Sequence, residues 1–434
     1  MWDLSKMSPS CAFCLSQPSR EMSVIPRLIA ENRSFRLLWL GQVVSQLGDW
    51  FSSVALYALL YELTGSATAV AGIMVVQMLP LALVSPSAGV IVDRFDRRRI
   101  MIAADLLRGT AILGLLLVRT PSMVWLAYVV TGLSVAATGF FEPARSATVP
   151  VIVPREQLVT ANAISTGTWS AMLALGASLG GGVAAVFGRD AAFLLNSASF
   201  FASALFLLRM HVRARDPSTR GASGWHGLIE GLAYMRAHGR VARIACVKGG
   251  WAVVGGALLL LTVFGDRVFR LGGSGDAGIG ILFAARGVGA AVGSYVVTAL
   301  ARRSSESLTR LIGPSYLIAG ACYATLGVAP SIWFAAATVV AAHTFGSILW
   351  VASNVLLQMT VPDEFRGRVF AAELMALSVV QSVIAYLTGV GLDTLHIPPR
   401  ILAVIIGFGL WVPAVIWYVG YDRYVRYVRY EEPE

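Results

Sequence analysis

The sequence predicts an all-α membrane protein with twelve transmembrane helices arranged as two six-helix repeats. Hydrophobic residues make up 56% of the 434 residues, and charged residues only 13%, which is about half of the share in an ordinary soluble domain. The mean hydropathy is +0.70. Twelve spans of about 20 residues need about 240 apolar residues, and the chain supplies about 243.

Twelve apolar runs, separated by charged residues, proline or glycine, define the spans. Strands of an outer-membrane barrel instead alternate polar and apolar residues over about ten positions. Because a backbone inside lipid must satisfy its own hydrogen bonds, we expect the runs to be helices. In chain order they are residues 36–62, 67–92, 100–118, 121–145, 160–187, 191–210, 243–265, 276–300, 309–327, 331–358, 370–393 and 400–420.

Lysine and arginine predict the orientation of the spans. The two termini and the loops after even-numbered spans hold 27 of the 34 Lys and Arg residues, and the opposite loops hold five. Basic residues concentrate on the cytoplasmic side of membrane proteins, so we expect both termini to be cytoplasmic. The net charge of +10 then reflects this topology and contact with anionic lipids, and binding of nucleic acid is not expected.

One long polar segment divides the chain. The expected units are a flexible cytoplasmic leader (1–35), a first bundle (36–210), a linker (211–242), a second bundle (243–420) and a cytoplasmic tail (421–434). The linker stretch "WHGLIEGLAYMRAHGRVARI" spaces apolar side chains three or four residues apart, which predicts an amphipathic helix on the cytoplasmic face. These side chains are Trp225, Leu228, Leu232 and Met235.

The two bundles share a short pattern after their fourth span. Val153-Pro154 in the first bundle and Val361-Pro362 in the second are each followed two residues later by glutamate. A six-span unit has an even number of spans, so both copies face the same way. Parallel repeats of this kind are typical of transporters that bind their substrate between the halves.

The turn between spans 2 and 3 carries the resemblance to a known family. Residues 89–100 read "GVIVDRFDRRRI" and resemble the loop G-x-x-x-D-R-x-G-R-R of the major facilitator superfamily. The matching positions are Gly89, Asp93, Arg94, Arg97 and Arg98, while Asp96 stands where the family has glycine. The stretches "FFEPARSATVPVIVP" and "VPDEFRGRVFA" resemble the branch that exports drugs, siderophores and peptide antibiotics, including macrolide-efflux and enterobactin-exporter relatives.

This resemblance implies a monomeric exporter of a small molecule in the bacterial inner membrane, without a cofactor. Span 5 also resembles the antiporter pattern G-x8-G-x3-G-P-x-x-G-G. Gly167, Gly176 and Gly180 match it and are expected at the interface between helices, but Gly181 replaces the proline. The arginine that the family uses for proton coupling in span 4 is missing, and Tyr128 lies near its place.

In the family, the Asp of the loop meets the start of span 11 when the cytoplasmic side is closed. The resemblance therefore assigns Asp93 to such a contact, with Arg97 and Arg98 as partners. Arg366 and Arg368 lie at the start of span 11, and Glu373 is a further candidate for this network. The alternative is that the arginines of the loop have no gating role and are present only because basic residues concentrate on the cytoplasmic side.

Polar residues inside the spans are candidates for the transport site, because charge in the bilayer is costly. Gln42, Gln46 and Asp49 share one face of span 1, and Asp49 lies about 20 Å from the inner end. Asp49 can bind a proton in each cycle or act as a link between helices. Arg286 lies at a similar depth in span 8 and can pair with Asp49 or hold an anionic substrate.

Spans 3, 4 and 10 add further polar residues. Asp105 and Arg108 are expected to form a packing pair, and Glu142 with Arg145 a gating pair, at spacing i, i+3. Trp350 can stack on an aromatic or cationic ligand. The remaining candidates that line the cavity are Thr138, His343 and Asn354.

The chain has no H-E-x-x-H or Walker motif and no cluster typical of a metal site, so an enzyme is not expected. The function that fits best is a secondary transporter that exports an amphipathic molecule in exchange for protons, with membrane lipids as its surroundings. Two alternatives remain. One is a gradient-driven facilitator or importer of a metabolite, and the other is a membrane sensor on a transporter scaffold.

Overall fold

The structure is a computed structural model that describes residues 27–211, 224–271, 275–301 and 305–419. All regular elements within these ranges are helices. Nine helical segments of this part are long and apolar enough to cross a membrane: Arg33–Thr64, Arg97–Leu117, Pro121–Ile152, Arg189–Leu208, Gly239–Val268, Asp276–Val297, Ile332–Thr360, Phe365–Asp393 and Pro399–Val419. The expectation of a helical membrane protein is confirmed, while the count of twelve spans and the two repeats stay predictions.

Each predicted span coincides with a helix or a pair of helices. The first half contains α1 (Arg33–Thr64), α2 (Ala67–Arg94), α3 (Arg97–Leu113), α4 (Val124–Ile152), α5 (Leu158–Phe187) and α6 (Arg189–Leu208). The linker contains α7 (Gly224–Ala237). The second half contains α8 (Gly239–Trp251), α9 (Val254–Val263), α10 (Asp276–Ala301), α11 (Ser305–Leu326), α12 (Ile332–Thr360), α13 (Asp363–Asp393) and α14 (Pro399–Gly409), with further helix at 411–419.

Helix caps explain where the predicted boundaries were wrong. The leader was expected to extend to residue 35, but α1 begins at Arg33 because the Asn32 side chain accepts a hydrogen bond from the Phe35 N–H at 2.9 Å. The charged turn at 94–99 is also shorter than expected. Asp96 caps α3 by accepting from the Arg99 N–H at 2.9 Å, so the arginines from position 97 onward form the first turn of a helix.

The seventh span is interrupted rather than continuous. α8 ends at Trp251, α9 begins at Val254, and a π-helical turn follows at Phe264–Val268. Gly255 lies at the start of α9, where an added Cβ would stand 2.4 Å from the backbone oxygen of Gln381. This glycine therefore allows α9 to approach α13 closely.

The two halves contact each other through two helix pairs. α5 packs along α10, and α2 packs along α13. A Cβ on Gly181 would lie 2.8 Å from the Gly280 Cα, and one on Gly389 would lie 2.8 Å from the Thr68 Cα. Small residues let helices in membranes approach this closely, so both pairs form tight contacts between the halves.

The three glycines expected at interfaces have different surroundings. Gly176 and Gly180 face α1, where added Cβ atoms would lie 2.8 Å from the Trp50 side chain and 2.7 Å from the Phe51 backbone. Gly167 has no heavy atom within 4 Å of such a position. In α5, the contact with the other half is made by the neighbouring Gly181.

The linker helix α7 packs on α13 and α2. Leu228 is buried, and the Glu230 carboxylate lies 2.8 Å from the Arg368 guanidinium at the start of α13. Trp225, Ile229 and Leu232 are exposed. The linker therefore contains a helix that docks on the bundle at Leu228, whereas its placement as an amphipathic helix on the cytoplasmic face stays a prediction.

Candidate functional site

A group of three charged side chains, here the Arg108 cluster, joins α1 to α3 deep inside the first half. Arg108 Nη2 donates to Asp49 Oδ2 at 2.8 Å, and Nη1 lies 3.5 Å from Asp105 Oδ1. Asp105 and Arg108 are buried, whereas the Asp49 side chain is 41% exposed. Asp49 lies 16 residues after the start of α1, or about 24 Å along the helix.

Two carboxylates of the Arg108 cluster thus face a single guanidinium. The aromatic ring of Phe200 covers this guanidinium, with 3.9 Å between Arg108 Cζ and the ring centroid. Asp105 Oδ2 is buried without a hydrogen-bond partner in the described part of the chain. Like charges close together in a poorly solvated site cannot all stay ionised easily, so this cluster has a place for a proton.

The Arg108 cluster shows which residue pairs with Asp49. Pairing with Arg286 was one possibility, but the partner of Asp49 is Arg108. The pair Asp105–Arg108 was expected to serve packing only, and it is part of this larger cluster. The spacing within α3 showed that pair, whereas the approach of α1 to α3 has no signal in a single sequence.

A second group, the Lys248 cluster, lies in the other half and joins α8, α12 and α13. Lys248 Nζ lies 2.6 Å from Glu373 Oε2 and donates to Asn354 Oδ1 at 2.7 Å. The Trp350 ring centroid is 4.8 Å from Nζ. Lys248 and Glu373 are both buried, so one carboxylate neutralises one ammonium group in a closed environment.

Sequence reasoning missed Lys248, because this residue was counted with the basic residues of the cytoplasmic side. It lies nine residues after the start of α8, or about 14 Å into the helix. Its position inside the apolar run "RIACVKGGWAVV" was the available signal. Glu373, Asn354 and Trp350 were candidates, but for two different sites, and the structure brings them together around Lys248.

The other polar candidates bond either within their own helix or to a neighbouring helix. Arg145 Nη2 pairs with Glu142 Oε2 at 2.8 Å, and Gln42 Nε2 donates to the Ser165 backbone oxygen at 3.1 Å. Gln46 Oε1 is buried and has no partner among the described residues. Thr138 donates to its own helix at Ser134 O, and His343 Nε2 lies 2.8 Å from Tyr323 Oη.

A cavity of about 210 Å³ lies between the two halves. Helices α1, α2 and α5 of the first half and α9, α10 and α13 of the second contribute to its wall. The wall is mostly aromatic and apolar and contains a few polar side chains. Its aromatic residues include Trp50, Tyr57, Trp169 and Phe283, and its polar residues include Gln77 and Arg286. Of these residues only Arg286 was expected from the sequence.

Arg286 supplies the positive charge of this cavity. Its guanidinium carbon lies 5.6 Å from the Trp50 ring centroid. Arg286 is ten residues from the start of α10, or about 15 Å along the helix. Within the described ranges no carboxylate forms an ion pair with it, whereas Arg108, Arg145 and Lys248 each have one.

One end of the bundle is closed by contacts between the halves; it is named here the Asp393 end. The Asp393 carboxylate accepts hydrogen bonds from Ser66 Oγ at 2.6 Å and from the Thr68 N–H at 2.7 Å. Arg189 of the first half lies 3.3 Å from Asp276 of the second. The Arg267 guanidinium donates to the Gly65 backbone oxygen at 2.8 Å.

The opposite end contains the loop that resembles the major facilitator pattern. Arg97 Nη1 donates to Ala147 O at 2.6 Å, and Arg98 Nε donates to Leu207 O at 2.8 Å. Arg366 Nη2 donates to Gln358 O at 2.9 Å. Gly89, Asp93 and Arg94 belong to α2, but their side-chain surroundings lie outside the described residues, so the contact expected for Asp93 stays a prediction.

Within the described ranges, no group of three or more His, Cys, Asp or Glu side chains is arranged to hold a metal ion. The chemistry that these side chains offer is reversible pairing of charges, proton binding and contact with an amphipathic ligand.

Comparisons with known proteins agree with this arrangement. A family model described as transmembrane secretion effector matches residues 29–391. The uncharacterized MFS-type transporter YfiS of Bacillus subtilis is 26% identical over 359 residues, which cover 80% of this chain and 83% of that protein. Macrolide efflux protein A of Streptococcus pyogenes is 36% identical over 126 residues, which cover 29% of this chain and 31% of that protein.

Solved structures share the fold at low identity. The crystal structure of a peptide transporter POT in complex with sulfate matches with a TM-score of 0.73 and 13% identity, covering 90% of this chain and 95% of that one. A bacterial homolog of the human lysosomal transporter Spinster matches with a TM-score of 0.64 and 15% identity, covering 90% and 94% of the two chains. These likenesses show a common arrangement of helices and no more.

Proposed function

Because this chain belongs to the transmembrane secretion effector family of major facilitator transporters, we propose that it exports an amphipathic small organic molecule in exchange for protons. Membership makes it a multi-pass bacterial membrane transporter and not an enzyme. The observation that carries the finer proposal is the cavity between the halves, whose wall both halves supply. We place the protein in the inner membrane with both termini in the cytoplasm, as the basic residues predict.

The position of this cavity between the halves supports the proposal of alternating access. The contacts of Asp393, Arg189 and Arg267 hold the Asp393 end closed, and this end is extracellular in the proposed topology. Substrate then enters from the cytoplasmic side and leaves when these contacts break. Each hydrogen bond to a charged group contributes about 1.5–3 kcal/mol, so a few of them stabilise one state without preventing the other.

We assign proton binding to the Arg108 cluster. With two carboxylates and one guanidinium, the cluster carries a surplus negative charge that one proton removes. Because Asp49 and Asp105 interact, this proton belongs to the pair of carboxylates rather than to either residue alone. Asp49 is the partly exposed member of the cluster. The next residue in α1, Trp50, lines the cavity, so protonation of Asp49 can affect the substrate through α1.

The relatives support export as the direction. The stretch of 126 residues is similar to a protein named for macrolide efflux, and the family description is that of a secretion effector. An amphipathic substrate fits a cavity with Trp50, Trp169 and Phe283 in its wall.

Asp93 keeps the gating role that its motif implies. We expect Asp93→Asn to slow turnover without abolishing substrate binding.

The proposal is tested in two steps. A deletion strain is first screened for compounds that it accumulates or to which it becomes sensitive. Purified protein in inside-out proteoliposomes is then given such a compound with and without an acidic lumen. Uphill uptake that requires the acidic lumen supports antiport. Uptake that only equilibrates the compound indicates a facilitator or importer, and binding without any counterflow indicates a sensor.

Asp49→Asn is the informative variant for this assay. We expect it to abolish proton-driven uptake while substrate still binds and exchanges in counterflow. Asp190→Asn is the matched control, because it removes a carboxylate from the exposed pair with Arg119 outside the interior. Normal uphill uptake by Asp49→Asn would remove Asp49 from the coupling role.

A further inference from the structure

We infer that Arg286 binds the anionic group of the transported molecule, and that the substrate is therefore an amphipathic organic anion. This inference names the substrate class of the cavity and rests on the proposed transport function. It is argued from the charges of the membrane interior, from the wall of the cavity and from the cations that the cavity would reject.

The first reason is the unequal pairing of the charged side chains in the described membrane interior. Its carboxylates are Asp49, Asp105, Glu142 and Glu373, and its cations are Arg108, Arg145, Lys248 and Arg286. The four carboxylates equal the four cations in number, but they are not paired one to one. Arg108 has two carboxylates, and Arg286 is left with none among the described residues.

An unpaired guanidinium at this depth is costly, because an ionised group loses its hydration and gains no counter-charge. The ring of Trp50, at 5.6 Å, offers a cation–π contact to one face of the guanidinium. That contact leaves the five N–H donors of arginine without a negative acceptor. A carboxylate, sulfonate or phosphate group on a ligand would satisfy them in the planar geometry that arginine favours.

The wall of the cavity describes the rest of the ligand. Trp50, Trp169 and Phe283 offer aromatic surface, and Met74 and Met78 offer adaptable apolar contacts. Ser53 and Gln381 add polar groups without charge. An aromatic or apolar body that carries one negative group therefore matches the wall better than an inorganic ion does.

A cationic ligand lacks a counter-charge in the same place. None of the described residues that line the cavity is a carboxylate, and Arg286 repels a positive group. Trp350 was a candidate for stacking on a cation, but its ring already faces Lys248 Nζ at 4.8 Å. Exchange of an anion for an incoming proton also moves positive charge inward, which an inside-negative membrane potential drives.

The test uses three probes that share one ring system: 1-naphthalenesulfonate, neutral 1-naphthalenesulfonamide and cationic 1-naphthylmethylammonium. Calorimetry measures their binding to the full-length protein in nanodiscs of neutral phosphatidylcholine, so that anionic lipid cannot occupy the site. We expect the sulfonate to bind at least tenfold more tightly than the ammonium compound. Equal affinities, or tighter binding of the ammonium compound, would overturn the inference.

Variants separate charge recognition from structural damage. We expect Arg286→Gln to weaken sulfonate binding at least tenfold and to change sulfonamide binding less than twofold, because only the charged contact is lost. Arg286→Lys should keep most of the preference for the anion. If Arg286→Gln weakens both compounds equally, the arginine supports the fold and does not recognise charge.

The same probes distinguish this inference from the proposed function. Selective binding of the sulfonate without proton-driven transport would retain the anion site and reject the exporter. Proton-driven transport of the ammonium compound that Arg286→Gln leaves unchanged would retain the exporter and reject the anion site.

Discussion

The Arg108 cluster and the Lys248 cluster are the buried charge networks of the two halves, and they differ in balance. Lys248 faces one carboxylate and one amide, and its charge is neutralised. Arg108 faces two carboxylates, and a negative charge remains. A balanced buried pair is a fixed link that is costly to break, whereas a surplus carboxylate can take up a proton. Similar residue types therefore suit different tasks in the two halves.

The largest expected effect comes from breaking the balanced cluster. Lys248→Met leaves Glu373 as an uncompensated buried charge, and we expect a loss of about 3–5 kcal/mol in the free energy of unfolding. The double variant Lys248→Met with Glu373→Leu should recover most of that loss. Reversible unfolding in mixed micelles with increasing SDS measures both. A single variant as stable as the parent would show that the pair is not a structural link.

The corresponding change in the Arg108 cluster should act on transport instead. Asp49→Asn leaves Asp105 to neutralise Arg108, so no uncompensated buried charge remains. We therefore expect a smaller loss of unfolding free energy than in Lys248→Met, and at least a tenfold loss of proton-driven export. The same unfolding assay and the proteoliposome assay give the two values. If Asp49→Asn destabilised the protein as much as Lys248→Met, the difference between the clusters would disappear.

The Asp393 end offers a change that leaves both clusters intact. Asp393→Ala removes hydrogen bonds to Ser66 and to the start of α2, so we expect that end to open more often. The readout is labelling of Ser53→Cys in the cavity by a membrane-impermeant maleimide from outside, in a chain whose four cysteines are replaced. We expect labelling to increase at least tenfold, because loss of one charged hydrogen bond costs about 1.5–3 kcal/mol.

Asp190→Ala is the control for this experiment, because its partner Arg119 belongs to the same half. It should leave labelling unchanged. Equal labelling in Asp393→Ala and the parent would mean that Asp393 does not hold the two halves together. Proton coupling should survive in Asp393→Ala, since the Arg108 cluster is untouched.

The smallest effect is expected at the pair Glu230–Arg368, which is partly exposed. Exposed ion pairs contribute about 0.2–1 kcal/mol and weaken with salt. Glu230→Gln should therefore lower the unfolding free energy by less than about 1 kcal/mol, and high salt should remove the difference from the parent. A loss as large as that of Lys248→Met would show that the linker helix is a main structural support.

The sequence predicted the helices better than the contacts between them. Apolar runs located the helices because lipid imposes a length and a composition on each span. Caps moved the boundaries at Arg33 and Arg97, since the side chains of Asn32 and Asp96 set where a helix begins. The break in the seventh span was not predicted, because hydropathy does not register an interruption of the helical hydrogen bonds at residues 252–253.

The candidate site was only partly predictable. Position within the apolar runs placed Asp49 and Arg286 in the interior, and the pair Glu142–Arg145 followed from spacing within one helix. Glu373 was expected in the cytoplasmic network. The partners of Asp49 and Glu373 come from other helices, and one sequence has no record of which helices meet. Lys248 was missed because a basic residue near a span boundary was assigned to the loop.

The most direct test of the account concerns the surplus carboxylate of the Arg108 cluster. Uptake of 1-naphthalenesulfonate, or of a compound found in the deletion screen, is measured in inside-out proteoliposomes with an acidic lumen for the parent, for Asp49→Asn and for the control Asp190→Asn, which changes only the exposed pair with Arg119. We expect uphill uptake by the parent, none by Asp49→Asn although exchange persists, and uphill uptake that depends on the acidic lumen in Asp190→Asn. Uphill uptake by Asp49→Asn equal to that of the parent would contradict the account.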